Sequence, residues 1–283
     1  MDLRDYFIKA KEEKKAIGHF NFSTADQLRA FVEVAQELDL PVMVATSEGE
    51  SEFVGYNQAA ALVKSWQDQT GHPVFLNADH HKSWDTVKQA IDAGFDTVLI
   101  DGSKLPLEEN IELTKKTVEY GRSKNPNMMI EGELGYLRGS SEIQDKIEIS
   151  PDDFTKPEEA KEFVEKTGVD RLALAFGNVH GITTNQEMHL DLDLLSSIVE
   201  VVPTAYLVLH GGSGLLDEEV TEAIKRGITN VHVNTELRIA YHSALVEEFK
   251  KEPNQTTPYK FLRPSYEATK DMIRKKLKLF TNQ

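Results

Sequence analysis

With nine histidines and no cysteine in 283 residues, any transition metal bound by this chain must sit on imidazole and carboxylate groups. The histidines are unevenly placed. His19, His80, His81, His180, His210 and His232 fall inside or directly after short apolar runs, and only His72, His189 and His242 fall elsewhere. Imidazoles gathered in this way, without thiols, fit a zinc-type site. Carboxylates stand close by: Asp79 directly before His80, Asp101 closing an apolar run, and Glu131 and Glu133 two residues apart. That spacing puts Glu131 and Glu133 on one face of an extended strand, where the competing reading is a salt-bridge layer. Asp79 and His80, as neighbours on an extended backbone, are expected to point to opposite faces. Such a split leaves His80 for a metal and Asp79 for another part of a substrate. Asp191 and Asp193 read as helix caps rather than catalysts.

A second constellation suits phosphate. Leu209-His-Gly-Gly-Ser-Gly214 places glycines where a curled backbone can aim successive N–H groups at an anion. Asn234-Thr235 closes the last apolar run and leads straight into helical periodicity, whose first N–H groups are free to bind a second face of the same anion.

Eight apolar runs carry these groups: Ala16–Phe22, Pro41–Ser47, Val74–Asp79, Thr97–Gly102, Met128–Gly135, Arg171–Gly177, Ala205–His210 and Asn230–Thr235. They are continuous rather than alternating, as parallel strands covered by helices should be. Helical periodicity follows each run, near 25–38, 56–70, 84–93, 108–122, 158–167, 191–200, 217–226 and 236–251. Eight strand–helix units at this length predict a single α/β domain over 1–283, a (β/α)8 TIM barrel with extra helices near 3–14 and 264–279. A doubly wound sheet expects a glycine-rich turn after its first strand, and Asn21-Phe-Ser-Thr24 has no glycine. The polar segment Arg138–Asp145, between the fifth and sixth runs, reads as a mobile loop. In a barrel, chemistry is built at the C-terminal ends of the strands, which is where the histidines, carboxylates and glycines lie.

Composition narrows the function. The formal net charge of −15 opposes binding to nucleic acid or to an anionic membrane surface. The apolar runs are strand-length, too short to span a bilayer. The charged first fifteen residues lack a signal-peptide apolar core, so a cytoplasmic enzyme acting on a small molecule is expected.

With these residues in view, the chain resembles the class II, zinc-dependent ketose-bisphosphate aldolases over nearly its whole length. The likeness rests on Gly18-His-Phe-Asn21, Val44-Ala-Thr-Ser-Glu-Gly49, Ala78-Asp-His-His81, Ile100-Asp-Gly-Ser103, Glu131-Gly-Glu-Leu-Gly135, Phe176-Gly-Asn-Val-His-Gly181, Leu209-His-Gly-Gly-Ser213 and Val233-Asn-Thr-Glu-Leu237. The resemblance implies cleavage of fructose 1,6-bisphosphate to dihydroxyacetone phosphate and glyceraldehyde 3-phosphate, a step of glycolysis. Tagatose 1,6-bisphosphate or another phosphorylated ketose is the alternative. It implies His80, His180 and His210 as ligands of the catalytic zinc (Zn2+), and Asp101 and Glu133 where some members hold a second metal, divalent or monovalent. Asp79 matches the acid/base acting on the C4 hydroxyl. Gly181, Gly211, Gly212, Ser213, His232, Val233, Asn234 and Thr235 match the hold on dihydroxyacetone phosphate, and Asn21 and Ser47 match polar positions of the same pocket. Cleavage leaves a carbanion beside the C2 carbonyl, which zinc stabilises as an enediolate. The base that exchanges the C3 proton is an acidic residue on the loop after the fifth strand in the family, which makes Glu142 the candidate here, one place late.

Three positions depart from the family pattern: His232 and Ser23 stand where Asn is common, and His19 where Ala is common. These bear on the preferred sugar phosphate. Lys260-Phe-Leu-Arg-Pro264 resembles a segment that helps form oligomers in some relatives, so a homodimer or homotetramer is expected. A Schiff-base aldolase would need a lysine inside the barrel, and no run offers one. A metal-dependent hydrolase would usually open with His-x-His on the first strand, which Gly18-His-Phe-Asn21 lacks. A metal-free binding homologue is at odds with the full set Asp79, His80, His180 and His210.

Overall fold

The computed structural model describes residues 1–283. Ten strands form: β1 (Ile17–Asn21), β2 (Val42–Ser47), β3 (Val74–His81), β4 (Thr97–Ile100), β5 (Met129–Leu134), β6 (Gly139–Gln144), β7 (Arg171–Leu174), β8 (His180–Thr183), β9 (Tyr206–Leu209) and β10 (Ile228–Val233). Eight of them close a barrel in the order β1-β10-β9-β7-β5-β4-β3-β2, with every neighbouring pair parallel. This is the expected (β/α)8 barrel. None of the ten strands contains a lysine.

Twelve helices accompany the strands: α1 (Leu3–Glu13), α2 (Ala25–Leu38), α3 (Glu48–Val54), α4 (Tyr56–Thr70), α5 (Trp84–Ala93), α6 (Leu107–Lys124), α7 (Pro157–Thr167), α8 (Leu192–Val201), α9 (Asp217–Arg226), α10 (Thr235–Lys251), α11 (Pro258–Phe261) and α12 (Arg263–Thr281). Their apolar residues recur three and four apart. In α2, Leu28, Phe31, Val32 and Ala35 are buried, and in α9, Val220, Ala223 and Ile224. These faces pack on the outward-facing side chains of the barrel in one core of 57 buried residues. Each fully buried Leu, Val or Phe contributes roughly 1.5–3 kcal/mol. Local caps set the helix starts: Ser83 accepts from the Thr86 N–H and Asp191 from the Leu194 N–H, the cap role expected for Asp191.

A smaller cluster, Leu3, Phe7, Ala10, Ile17, Met43 and Met129, seals the N-terminal end of the barrel beneath α1. A cavity of about 500 Å³ at that end is lined by side chains such as Tyr6, Leu40 and Leu277 and gathers no histidines. No helix is long and apolar enough to cross a membrane.

The segment expected to be a mobile loop is instead a strand. Residues Gly139–Gln144 pair in parallel with His180–Thr183 in a two-stranded sheet above the barrel mouth. Its side chains are exposed or half-buried, so no apolar alternation marks it as a strand.

Candidate active site

The mouth of the barrel at the C-terminal strand ends is polar and narrow. A cavity of about 40 Å³ there has no apolar side chain in its wall. The end of β3 builds one side of it. Pairing with β4 shifts register between Ala78 and His81, and His80 takes a left-handed backbone conformation at φ 47°. A non-glycine residue there costs roughly 1–2 kcal/mol. The bulge turns both Asp79 and His80 into the same cavity, correcting the expectation that they face opposite ways.

His80, His180 and His210 converge. Their ring centroids lie 4.6 Å apart for His80 and His210, 4.8 Å for His80 and His180, and 6.3 Å for His180 and His210. Ligand atoms of these three and of Glu133 all fall within 4.8 Å of one another. Nδ1 of His80 is 3.1 Å from Oδ2 of Asp101 and 3.2 Å from Oε2 of Glu133. Nε2 of His210 donates to Oε1 of Glu131 at 2.8 Å. Asn178 explains part of the Gly-Asn-Val-His element: its Nδ2 donates to the carbonyls of Leu174 and His210, each at 3.0 Å, tying the end of β7 to the end of β9.

Burial and charge bear on these groups in different ways. Burial opposes charge on His80, yet Asp79, Glu133 and Asp101 outweigh it and raise its imidazole well above the usual range. His180 is pulled down to about 3 by burial and by the neighbouring His80 and His210. Burial, reinforced by Asp101, pushes Glu133 up. Nδ1 of His210 and Oε2 of Glu133 are buried without a hydrogen-bond partner. Three imidazoles and a carboxylate, two of them with orphaned ligand atoms, and further carboxylates around them fit a divalent cation.

Asp79 sits beside this group. Burial works against its charge, but the charged imidazole of His80 beside it holds its carboxyl well below the usual range. Its Oδ2 accepts from Nδ2 of Asn21 at 2.9 Å, and Oδ1 lies 3.4 Å from Nδ1 of His232. His19 and His232 occupy paired positions on β1 and β10, so their rings stack with centroids 3.4 Å apart. Burial keeps both imidazoles well below their usual range.

The phosphate-type loops close the opposite wall. Gly211 has φ 62°, and a Cβ there would lie 1.9 Å from the carbonyl oxygen of Val179, so only glycine fits. The Glu236 N–H reaches Oγ of Ser213, and the Gly214 N–H reaches Oε1 of Glu236, fastening this loop to the start of α10. Asn234, which precedes α10, keeps a buried Oδ1 with no partner.

A sequence profile described as fructose-bisphosphate aldolase class-II matches residues 1–283. The chain belongs to the class II fructose-bisphosphate aldolase family. Among solved structures, the YdjI aldolase from Escherichia coli K12 is 29% identical, with a TM-score of 0.81 over 99% of this chain and 96% of that one. A protein from Coccidioides immitis is 25% identical, with a TM-score of 0.85 over 98% and 95%. The fold is shared with a fructose-bisphosphate aldolase from Campylobacter jejuni, 22% identical with a TM-score of 0.82 over 98% and 93%.

In this class II family member, Asn21, Asp79, His80, His180, Gly181, His210, Gly211, Ser213, His232, Asn234 and Thr235 share the cavity wall. Other expected residues do not reach it. Ser47 turns its hydroxyl to Glu50 at 2.9 Å. The Gly212 N–H is spent on the carbonyl of His232, and the Val233 side chain is buried in the core between barrel and helices. Glu142 is exposed and lines a neighbouring crevice with Arg238 and His242, while Ser141 faces the cavity in its place.

Two residues with a part in the site were missed. Glu50 bonds both Asn21 and Ser47, and its signal was the Ser-x-x-Glu capping spacing from Ser47. Arg171 lies fully buried inside the barrel, and its signal was a cation opening the apolar run Leu172-Ala-Leu-Ala-Phe176.

Proposed function

We propose that the chain cleaves and forms the C3–C4 bond of a ketose 1,6-bisphosphate, fructose 1,6-bisphosphate first, with zinc held by His80, His180 and His210. One observation carries this reading: three imidazoles converge with Glu133 within 4.8 Å, and the three imidazoles share their cavity with Asp79 and the glycine loop. Bound zinc supplies an electrophilic pull on the C2 carbonyl, which lowers the cost of the carbanion left at C3.

The chain's own residues do the rest. Asp79, held ionised, takes the proton of the C4 hydroxyl during cleavage and returns it in the reverse direction. Asn21 keeps that carboxylate aimed. The backbone around Gly211 and Ser213, with the first N–H groups of α10, binds the phosphate next to the dihydroxyacetone end. Glu131 fixes the ring of His210, so its other nitrogen stays free for the metal. A second cation at Asp101 and Glu133 belongs to the same proposal, as does Glu142 as the C3 base once its strand moves toward the cavity.

The test is release of dihydroxyacetone phosphate from fructose 1,6-bisphosphate before and after a chelator, with zinc added back and tagatose 1,6-bisphosphate run in parallel. Activity abolished by the chelator and restored by zinc is expected. Activity indifferent to the chelator would remove zinc from the proposal, and none on either substrate in zinc-loaded protein would remove the substrate.

A further inference from the structure

Arg171 is fully buried and ties four strands together from inside the barrel. Its Nη1 is 2.6 Å from Oε2 of Glu131 and 3.0 Å from Oδ1 of Asn230. Its Nη2 donates to Oγ1 of Thr97 at 2.6 Å and to Oδ1 of Asn77 at 3.1 Å. A guanidinium only donates, so the atoms facing it must be acceptors, and both amides present their oxygen to it.

That choice propagates outward. With its oxygen committed, Asn77 turns its Nδ2 to Nε2 of His19 at 2.9 Å. Nε2 of His19 therefore accepts, and the proton of the neutral ring sits on Nδ1. Asn230 donates through Nδ2 to the carbonyl of Ile17 at 2.8 Å, leaving Oδ1 to face Nε2 of His232 at 3.1 Å. Nε2 of His232 meets Oδ1 of Asn230 with hydrogen-bond geometry and therefore donates, whereas Nδ1, 3.4 Å from Oδ1 of Asp79, has no hydrogen-bond partner and keeps the lone pair. Glu131, paired with Arg171, accepts from Nε2 of His210, which puts the lone pair of His210 on Nδ1.

We propose that Arg171 is a positioning residue that sets the tautomers of His19, His210 and His232 together. One guanidinium thereby aims a lone pair of His210 at the metal position and a lone pair of His232 at the floor of the cavity beside Asp79. Only the His210 branch rests on the reading of that residue as a metal ligand. The His19 and His232 branches stand without it.

The experiment is two-bond 1H–15N correlation spectroscopy on metal-free protein labelled with 15N-histidine, with His→Gln variants for assignment. The wild type is expected to carry its proton on Nδ1 in His19 and on Nε2 in His210 and His232. Arg171→Lys keeps a charge against Glu131, but one ammonium cannot hold Thr97, Asn77 and Asn230 together. Tautomer mixtures at His19 and His232 are expected, while His210, whose Nε2 still faces Glu131, keeps its tautomer and the zinc affinity, read by competition with a chromophoric chelator, stays unchanged. Asn230→Ala should release His232 alone and leave His19 and the zinc affinity unchanged. Wild-type tautomers in Arg171→Lys overturn the proposal. If that variant does not fold, a His232 that keeps its Nε2 proton in Asn230→Ala overturns it instead. A wild type with these tautomers but no aldolase activity would sink the proposed function and leave this inference standing.

Discussion

Asn21 stands between two carboxylates, the buried Asp79 and the half-buried Glu50: its Nδ2 donates to Oδ2 of Asp79 at 2.9 Å and to Oε2 of Glu50 at 2.8 Å. Both hydrogens of one amide are used, and neither acid can approach the other. Burial pushes Glu50 up, with the charge of Asp79 adding to the push, while the charge of His80 holds Asp79 down. The working carboxylate is thus kept ionised and aimed by a neutral neighbour.

Replacing that amide should uncouple aim from metal binding. Asn21→Ala removes a charge-assisted hydrogen bond worth about 1.5–3 kcal/mol. Turnover should fall roughly 10- to 100-fold at unchanged bound zinc, as read by steady-state kinetics and elemental analysis. A wild-type kcat would show that Asp79 needs no such support.

Asp79→Asn keeps the shape of the site and removes the base. Loss of turnover by about 10²–10⁴ is expected, with zinc content and fold retained. Cleavage at a wild-type rate would take the proton step away from Asp79.

The glycine loop is tested through its backbone. Gly211→Ala forces a Cβ to within 1.9 Å of the Val179 carbonyl at a φ of 62°. A destabilisation of at least about 1–3 kcal/mol is expected, visible as a lower melting temperature, together with a raised KM for the phosphorylated substrate. An unchanged melting temperature and KM would mean that the loop adopts another conformation.

Away from the site, Glu33 of α2 accepts from Tyr266 and from Lys270, at 2.9 Å, on α12. Burial opposes its charge, but these bonds and Arg29 lower it from 4.5 to about 2. A carboxyl depressed in the folded state stabilises fully above its unfolded value and loses that contribution as pH falls toward about 2. Glu33→Gln should therefore melt lower than wild type at neutral pH, and the gap should close between 4.5 and about 2. A gap that stays constant with pH would assign the effect to packing.

Much of this was legible in order along the chain. Histidines, carboxylates and glycines at the ends of apolar runs marked one end of the barrel, because strand and helix periodicity are local properties that neighbouring residues impose. The polar strand Gly139–Gln144 escaped that reading. With no face in the core, its pairing with β8 depends on a partner about forty residues away rather than on any alternation of its own. The same limit hid Arg171, whose meaning lies in Glu131, Asn77, Thr97 and Asn230 on four other strands.

By itself, then, the sequence determined the barrel, the end that carries chemistry and the residue types brought there. Only the tertiary structure decided how those residues face one another. The bulge at His80 turns Asp79 and His80 into one cavity, which strand alternation alone forbids. The register of β1 against β10 stacks His19 on His232, and the closed ring of strands sets Glu131 against both Arg171 and His210. These are contacts between segments distant in the chain, and closure of the barrel is what brings them within hydrogen-bonding reach.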